Sequence, residues 1–283
     1  MGEIMDIRLG YAGNSKILKD SSVTKTVSVS VLSKEEDNNK KISKLKKVAK
    51  ENILNTLKIL ENNKALGIKV YGLSPKLFPL ANYPELEYFN YIDSLKAELI
   101  KVGDFIKENN FRVNIFLENT IILNSMSDKV LNDAIKDIKY QNVVLNTMGL
   151  DEKCKIVVNV GGAYRNKNDL VERFRETLKN LDEAVKKRLV LKNDDNSINQ
   201  DIMMGICDEF SIPFFLNVDD KNIESEFIKK SILSWKEHDL PALFGLSSNS
   251  GIMSLSKYNK DIDVILQNSE KDKNILMLNI DKY

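Results

Sequence analysis

The residues best placed to do chemistry are the polar ones that close the chain's short apolar runs: Tyr11, Asn159, Lys192, Asn217 and Asn279. Phe116 and Gly245 close two further runs, and Asp219 and Asp220 stand directly after the run that holds Asn217. Such a set allows an enzyme without metal, with Lys192 and Asp220 or Asp261 as base or electrostatic partners. It is poorly suited to transition-metal chemistry. An amide oxygen is a neutral, weak ligand, whereas zinc and manganese are held by thiolate, imidazole or carboxylate. The one histidine, His238, lies in a Lys-Glu-His-Asp turn after Trp235 and is expected to face solvent. The chain carries no P-loop, no dinucleotide-binding glycine fingerprint and no nucleophile elbow.

These residues need elements to carry them. The most legible is Lys155-Ile-Val-Val-Asn-Val-Gly-Gly162, a β-rich run that meets a glycine pair before a helical pattern opens at Asp169. The same arrangement recurs. Strand-like runs are read at Asp6–Tyr11, Ile68–Leu73, Phe111–Phe116, from Lys155, Arg188–Lys192, Ile212–Val218, Ala242–Leu246 and Asn274–Asn279. Between them the spacing predicts helices over about 41–60, 92–108, 128–148, 168–187, from an Asn199 cap to 210, and over 223–235. Gly149 is expected to cap the third of these. Lysines 40, 41, 44, 46, 47 and 50 crowd the first helix, where a solvated face explains them.

Eight alternations in one chain predict an α/β protein, a single (β/α)8 barrel over residues 1–283, with the run ends gathered at one mouth. A doubly wound sheet is the alternative. In the barrel reading the outer helix after the last strand is short or absent, so the seam between the first and last strands is expected to be less covered.

Composition narrows the function classes. The 42 basic residues nearly cancel the 41 acidic ones, so no global field drives the protein onto nucleic acid or anionic membrane. Cys154 and Cys207 adjoin apolar runs and read as buried thiols of a reducing compartment, not as a disulfide framework. No apolar stretch reaches membrane-spanning length, and acid and base come too early for a signal peptide. The expected location is the cytoplasm, with no membrane partner.

The order and spacing of several motifs resemble the UV damage endonucleases of the UvdE type: Arg8-Leu-Gly-Tyr11, Leu77-Phe-Pro-Leu-Ala81, Arg112-Val-Asn114, Met148-Gly-Leu-Asp151, Lys155 to Gly162, Arg188-Leu-Val-Leu191 with Asn193-Asp-Asp195, Ser234-Trp235 and Ser247-Ser248. The resemblance implies a TIM barrel that incises DNA on the 5′ side of lesions. It also implies divalent metals such as manganese or zinc, held by histidines and carboxylates, and a glutamine-tyrosine pair inserted into the duplex. This chain departs from that pattern where the chemistry would be. Phe116 and Asn159 stand for histidines, Lys192 for a glutamate, Asn217 for an aspartate, and Asp220 and Gly245 for histidines. Asp261 aligns with a further histidine, Asn279 with the glutamate of a Met-Leu-Glu motif, and Asn119 and Thr120 with the duplex-probing pair. The implied protein keeps the barrel, has lost metal-dependent cleavage and carries no cofactor. Lys192 is expected to lie near Asp220 or Asp261. DNA would be held weakly, with little lesion preference, through Arg8, Lys76, Arg112, Arg165, Lys167 and Lys192. A non-catalytic binding or regulatory protein on the same scaffold is the alternative.

Overall fold

Runs that are apolar on both faces satisfy their backbones only between like neighbours under a cover of helices, and that demand closes this sheet on itself. The computed structural model describes residues 7–81, 91–161, 167–192, 198–218, 225–258 and 260–280. Its strands are β1 (Ile7–Ala12), β2 (Val70–Leu73), β3 (Arg112–Phe116), β4 (Lys155–Asn159), β5 (Leu189–Lys192), β6 (Phe214–Val218), β7 (Ala242–Leu246) and β8 (Ile262–Leu266). They pair in parallel in sequence order, and β8 returns to β1 to complete the barrel. The main helices are α1 (Asn38–Ala65), α2 (Lys96–Glu108), α3 (Asp128–Thr147), α4 (Lys167–Asn180), α5 (Gln200–Phe210), α6 (Ser225–Ser234), α7 (Ser250–Leu255) and α8 (Asp272–Ile280). Each strand is thus followed by a helix.

Local signals account for several boundaries. Asn199 caps α5 by accepting from the amides of Asp201 and Ile202. Gly149, at φ 70°, ends α3 in the left-handed region that a side chain would disfavour. The predicted helix over 168–187 divides, because α4 stops at Asn180 and a separate turn runs from Glu183 to Lys186.

One strand assignment is corrected. Residues 274–279 form the body of α8, and the eighth strand lies earlier, at Ile262–Leu266. The physical reason is composition: Ile262-Asp-Val-Ile-Leu266 has the β-branched residues that favour a pleated surface, whereas Leu276-Met-Leu278 are strong helix formers. The seam is consequently covered. The buried Asp272, at the start of α8, accepts from the Ser15 hydroxyl and from the Lys16 amide at 2.8 Å, which ties the helix to the loop leaving β1.

Successive strand residues face opposite sides of the sheet, so register sorts interior from exterior. Arg8 opposes Asp263, Asn114 opposes Lys155, and Phe116 opposes Val157. Asn159 opposes Lys192, Lys192 opposes Phe215, and Asn217 opposes Gly245. Two polar interior layers result, one at each end of the strands.

Candidate functional site at the barrel mouth

At the carboxyl ends of the strands the inward ring consists of Phe116, Asn159, Lys192, Asn217, Gly245 and Gln267. Phe116 and Phe215 meet edge to face at 5.4 Å and form the apolar floor. The Lys192 ammonium stands 5.7 Å from the Phe215 ring centre, where a cation and the ring's electron-rich face attract. Asn159 is buried, and Lys192 and Asn217 are half-buried.

Gln267 was missed in the sequence because the last strand was set too late. Its Nε2 donates to Asn217 Oδ1 at 2.9 Å, and this amide bridge crosses the space above Gly245. A Cβ on Gly245 would lie 2.2 Å from Asn217 Oδ1 and 2.6 Å from Gln267 Nε2, so the bridge depends on a residue without a side chain. The end of β8 is thus formed by Ile265-Leu266, with Gln267 next. The Met277-Leu278-Asn279 match to the Met-Leu-Glu motif lies on α8.

Other expected site residues fall elsewhere. Tyr11 points away from the mouth: it is wholly buried, its hydroxyl donates to Asn63 Oδ1 on α1 at 2.9 Å, and it meets Tyr71 edge to face. Burial, then Asp272, pushes its phenol well above the ordinary range, so it is a packing residue without an accessible proton. Asp261 precedes β8 and hence lies at the opposite end of the barrel from Lys192. A strand of this length spans roughly 15 Å, which rules out the expected contact between the two. Asp219 and Asp220, with Asp194, Asp195 and Arg165, lie outside the described residues. So does the side chain of Lys167. Arg8 and Arg112 begin their strands and belong to the opposite layer, not to the mouth. Lys76 does stand at the mouth, ion-paired with Glu118. Asn119 and Thr120 are exposed in the turn after β3.

His238 is not the solvent-facing residue expected. It is half-buried beside the strands' amino ends, with Nδ1 3.2 Å from the Lys155 ammonium. Burial and then Lys155 hold its pKa below the usual value. Cys154 and Cys207 are buried and unpaired, and burial raises both thiols, Cys154 to about 12. Neither is available as a nucleophile.

The described mouth does not fit a transition metal. It offers a phenyl ring, three neutral amides, an ammonium and a bare glycine. Among the described residues no group of three or more histidine, cysteine, aspartate or glutamate side chains gathers to hold a metal ion. The same ring suits a polar ligand: amide donors and acceptors surround one cation over an aromatic floor. Among the described residues no helix is long and apolar enough to cross a membrane.

Comparison with known proteins gives this geometry its context. The crystal structure of SacUVDE superposes with a TM-score of 0.83 at 24% identity, covering 98% of this chain and 100% of that one. A 3-keto-D-glucoside 4-epimerase, YcjR, from E. coli shares the barrel at a TM-score of 0.55 and 13% identity, covering 93% of this chain and 92% of its own. Proteins named UV DNA damage endonuclease from Bacillus thuringiensis subsp. konkukian and Bacillus cereus are each 37% identical over 213 residues. That match covers 74% of this chain and 66% of each relative's length. The sequence model of the family described as UV-endonuclease UvdE matches residues 7–282, so the chain belongs to the UvdE family, with a barrel mouth whose described residues lack the family's metal-binding character.

Proposed function

We propose that this chain is a UvdE-type protein of the DNA-repair endonuclease family that has lost metal-dependent cleavage and retains a weak, lesion-indifferent grip on the DNA backbone. The observation that carries the reading is the inward ring at the mouth, where the amide bridge between Asn217 and Gln267 takes the space above Gly245 and Lys192 adds a positive charge. Metal-assisted hydrolysis needs a cation to activate water and to neutralise charge on the phosphate. An ammonium repels that cation and attracts the phosphate itself. The chain therefore binds what its relatives are named for cutting.

The grip is weak because, among the described residues, few cations serve it. Of the lysines and arginines expected at the mouth, Arg8 and Arg112 are at the other end and Lys76 is paired with Glu118. Thr120 offers no ring for base stacking, which is worth about 1–3 kcal/mol per base where an aromatic is present. Two buried free thiols suit a reducing, cytoplasmic compartment. Titration of matched intact and lesion-bearing duplexes at two salt concentrations tests the reading. Each phosphate contact contributes a slope of about 0.9 in log K against log salt, so a shallow slope of about 2, and equal affinity for the two duplexes, are expected. Lys192→Met should flatten the slope by about 1. Strong preference for the lesion, or a slope indifferent to Lys192, contradicts it.

A further inference from the structure

Among the described residues, the interior layer at the amino ends of the strands sets Arg8, Arg112 and Lys155 around the single carboxylate of Asp263. Asp263, wholly buried, accepts from Arg8 Nε and Nη2 at 2.7 and 2.9 Å. Arg112 comes no closer to that carboxylate than 3.7 Å, and its Nε reaches Asn114 Oδ1 only at 3.5 Å. Arg112 is 6% exposed, yet among the described residues neither its Nη1 nor its Nη2 has a hydrogen-bond acceptor. Two neighbouring cations, Lys155 and Arg188, hydrogen-bond only neutral groups among the described residues. Lys155 donates to the Lys187 carbonyl and His238, and Arg188 to two asparagines and the carbonyls of Leu150, Asp151 and Cys154. Burial lowers the Arg112 guanidinium to about 10 and, with Arg112 as the next cause, the Lys155 ammonium to about 8. A buried cation with open donors is costly unless an anion or water answers it.

A cavity of about 380 Å³ opens to the surface beside this layer, lined by Arg112 and Arg8, with Lys107 and Lys153 among its lining residues. Phe111 and other apolar residues make most of its wall, and Asp151 is the one carboxylate among its described lining residues. Lys107 and Lys153 form ion pairs with Asp104 and Asp239, but these are exposed contacts of the kind that exchange readily. The volume is that of a small-molecule site. A guanidinium with both terminal nitrogens open presents a fork that matches two oxygens of one anion.

We infer that this cavity binds a small organic oxyanion, a phosphate monoester or carboxylate on an apolar body, with Arg112 as the anchoring residue. The site lies at the end of the barrel opposite the mouth and does not depend on the reading of the mouth. The terminal nitrogens of Arg112 are closed to bulk water, so the anion engages them as the guanidinium shifts outward. That shift moves it relative to Trp235, whose ring centre is 5.2 Å away. Trp235 is the only tryptophan of the chain and therefore reports on binding.

The experiment is a tryptophan fluorescence titration of the full chain with phenyl phosphate, benzoate and inorganic phosphate, each at constant ionic strength in chloride. Saturable change with phenyl phosphate or benzoate, tighter than with inorganic phosphate and lost in Arg112→Met, is expected, and the better of the two probes identifies the anion. The double variant Lys107→Ala/Lys153→Ala alters only exposed side chains and should weaken binding about threefold or more. It decides the matter if Arg112→Met fails to fold. Absence of saturation with all three probes, or affinity unchanged in the double variant or in a folded Arg112→Met, overturns the assignment.

Discussion

Gly245 holds the mouth in its present form. Its missing side chain admits the Asn217–Gln267 bridge, and a Cβ there would also come within 2.8 Å of the Phe215 ring. Gly245→Ala should therefore break the bridge and cost about 1–2 kcal/mol in urea unfolding, and Asn217→Ala in the same chain should recover part of that loss. Strictly additive effects would mean that the two residues do not share space. Lys155 gives a second test at this scale. Its folded pKa, about 8, lies below the ordinary 10.5, so between these values the unfolded chain binds more protons and stability rises with pH. The charged form thus destabilises the fold below pH 8, by on the order of 3 kcal/mol. Lys155→Met should flatten the stability profile between pH 8 and 10.5, and a profile that keeps its slope would contradict the assignment. The residue types at the mouth were legible in the sequence wherever an apolar run ended visibly, as at Asn159, Lys192 and Asn217. Gln267 was not, and the inward or outward aim of Tyr11 was not, because facing depends on barrel register that one strand does not reveal.

Among the elements, the eighth strand is the instructive case. Seven strands were readable because each couples β-branched or aromatic residues to a turn signal, and the eighth carries the same signature in Ile262-Asp-Val-Ile-Leu266. The buried Asp263 interrupts that apolar run and obscured it; its hydrogen-bonded partner Arg8 is 255 residues away in the chain. The last outer helix, read as short or absent, is the short α8. Because α8 is anchored through Asp272 to Ser15 and Lys16, Asp272→Ala should cost about 2–3 kcal/mol by chemical denaturation, more than a surface carboxylate would. Loss of less than about 0.5 kcal/mol would show that the seam closes without this tie.

At the scale of the whole molecule, the barrel separates two polar layers of different character. Among the described residues the inward ring at the mouth carries one charged side chain, Lys192, while the opposite layer gathers arginines and a lysine around Asp263. Barrel closure required all eight alternations to be read together, which is why the fold class was legible even with one strand misplaced. The separation also explains why Arg8 and Arg112, conspicuous in the sequence beside run boundaries, do not serve the mouth: they stand at strand beginnings. The most direct test of the central claim is an incision assay of the purified full chain on lesion-bearing duplex, with manganese or zinc supplied in excess. The donor set predicts no strand scission with either metal. Metal-dependent scission on the 5′ side of the lesion, abolished by Asp220→Ala, would contradict it.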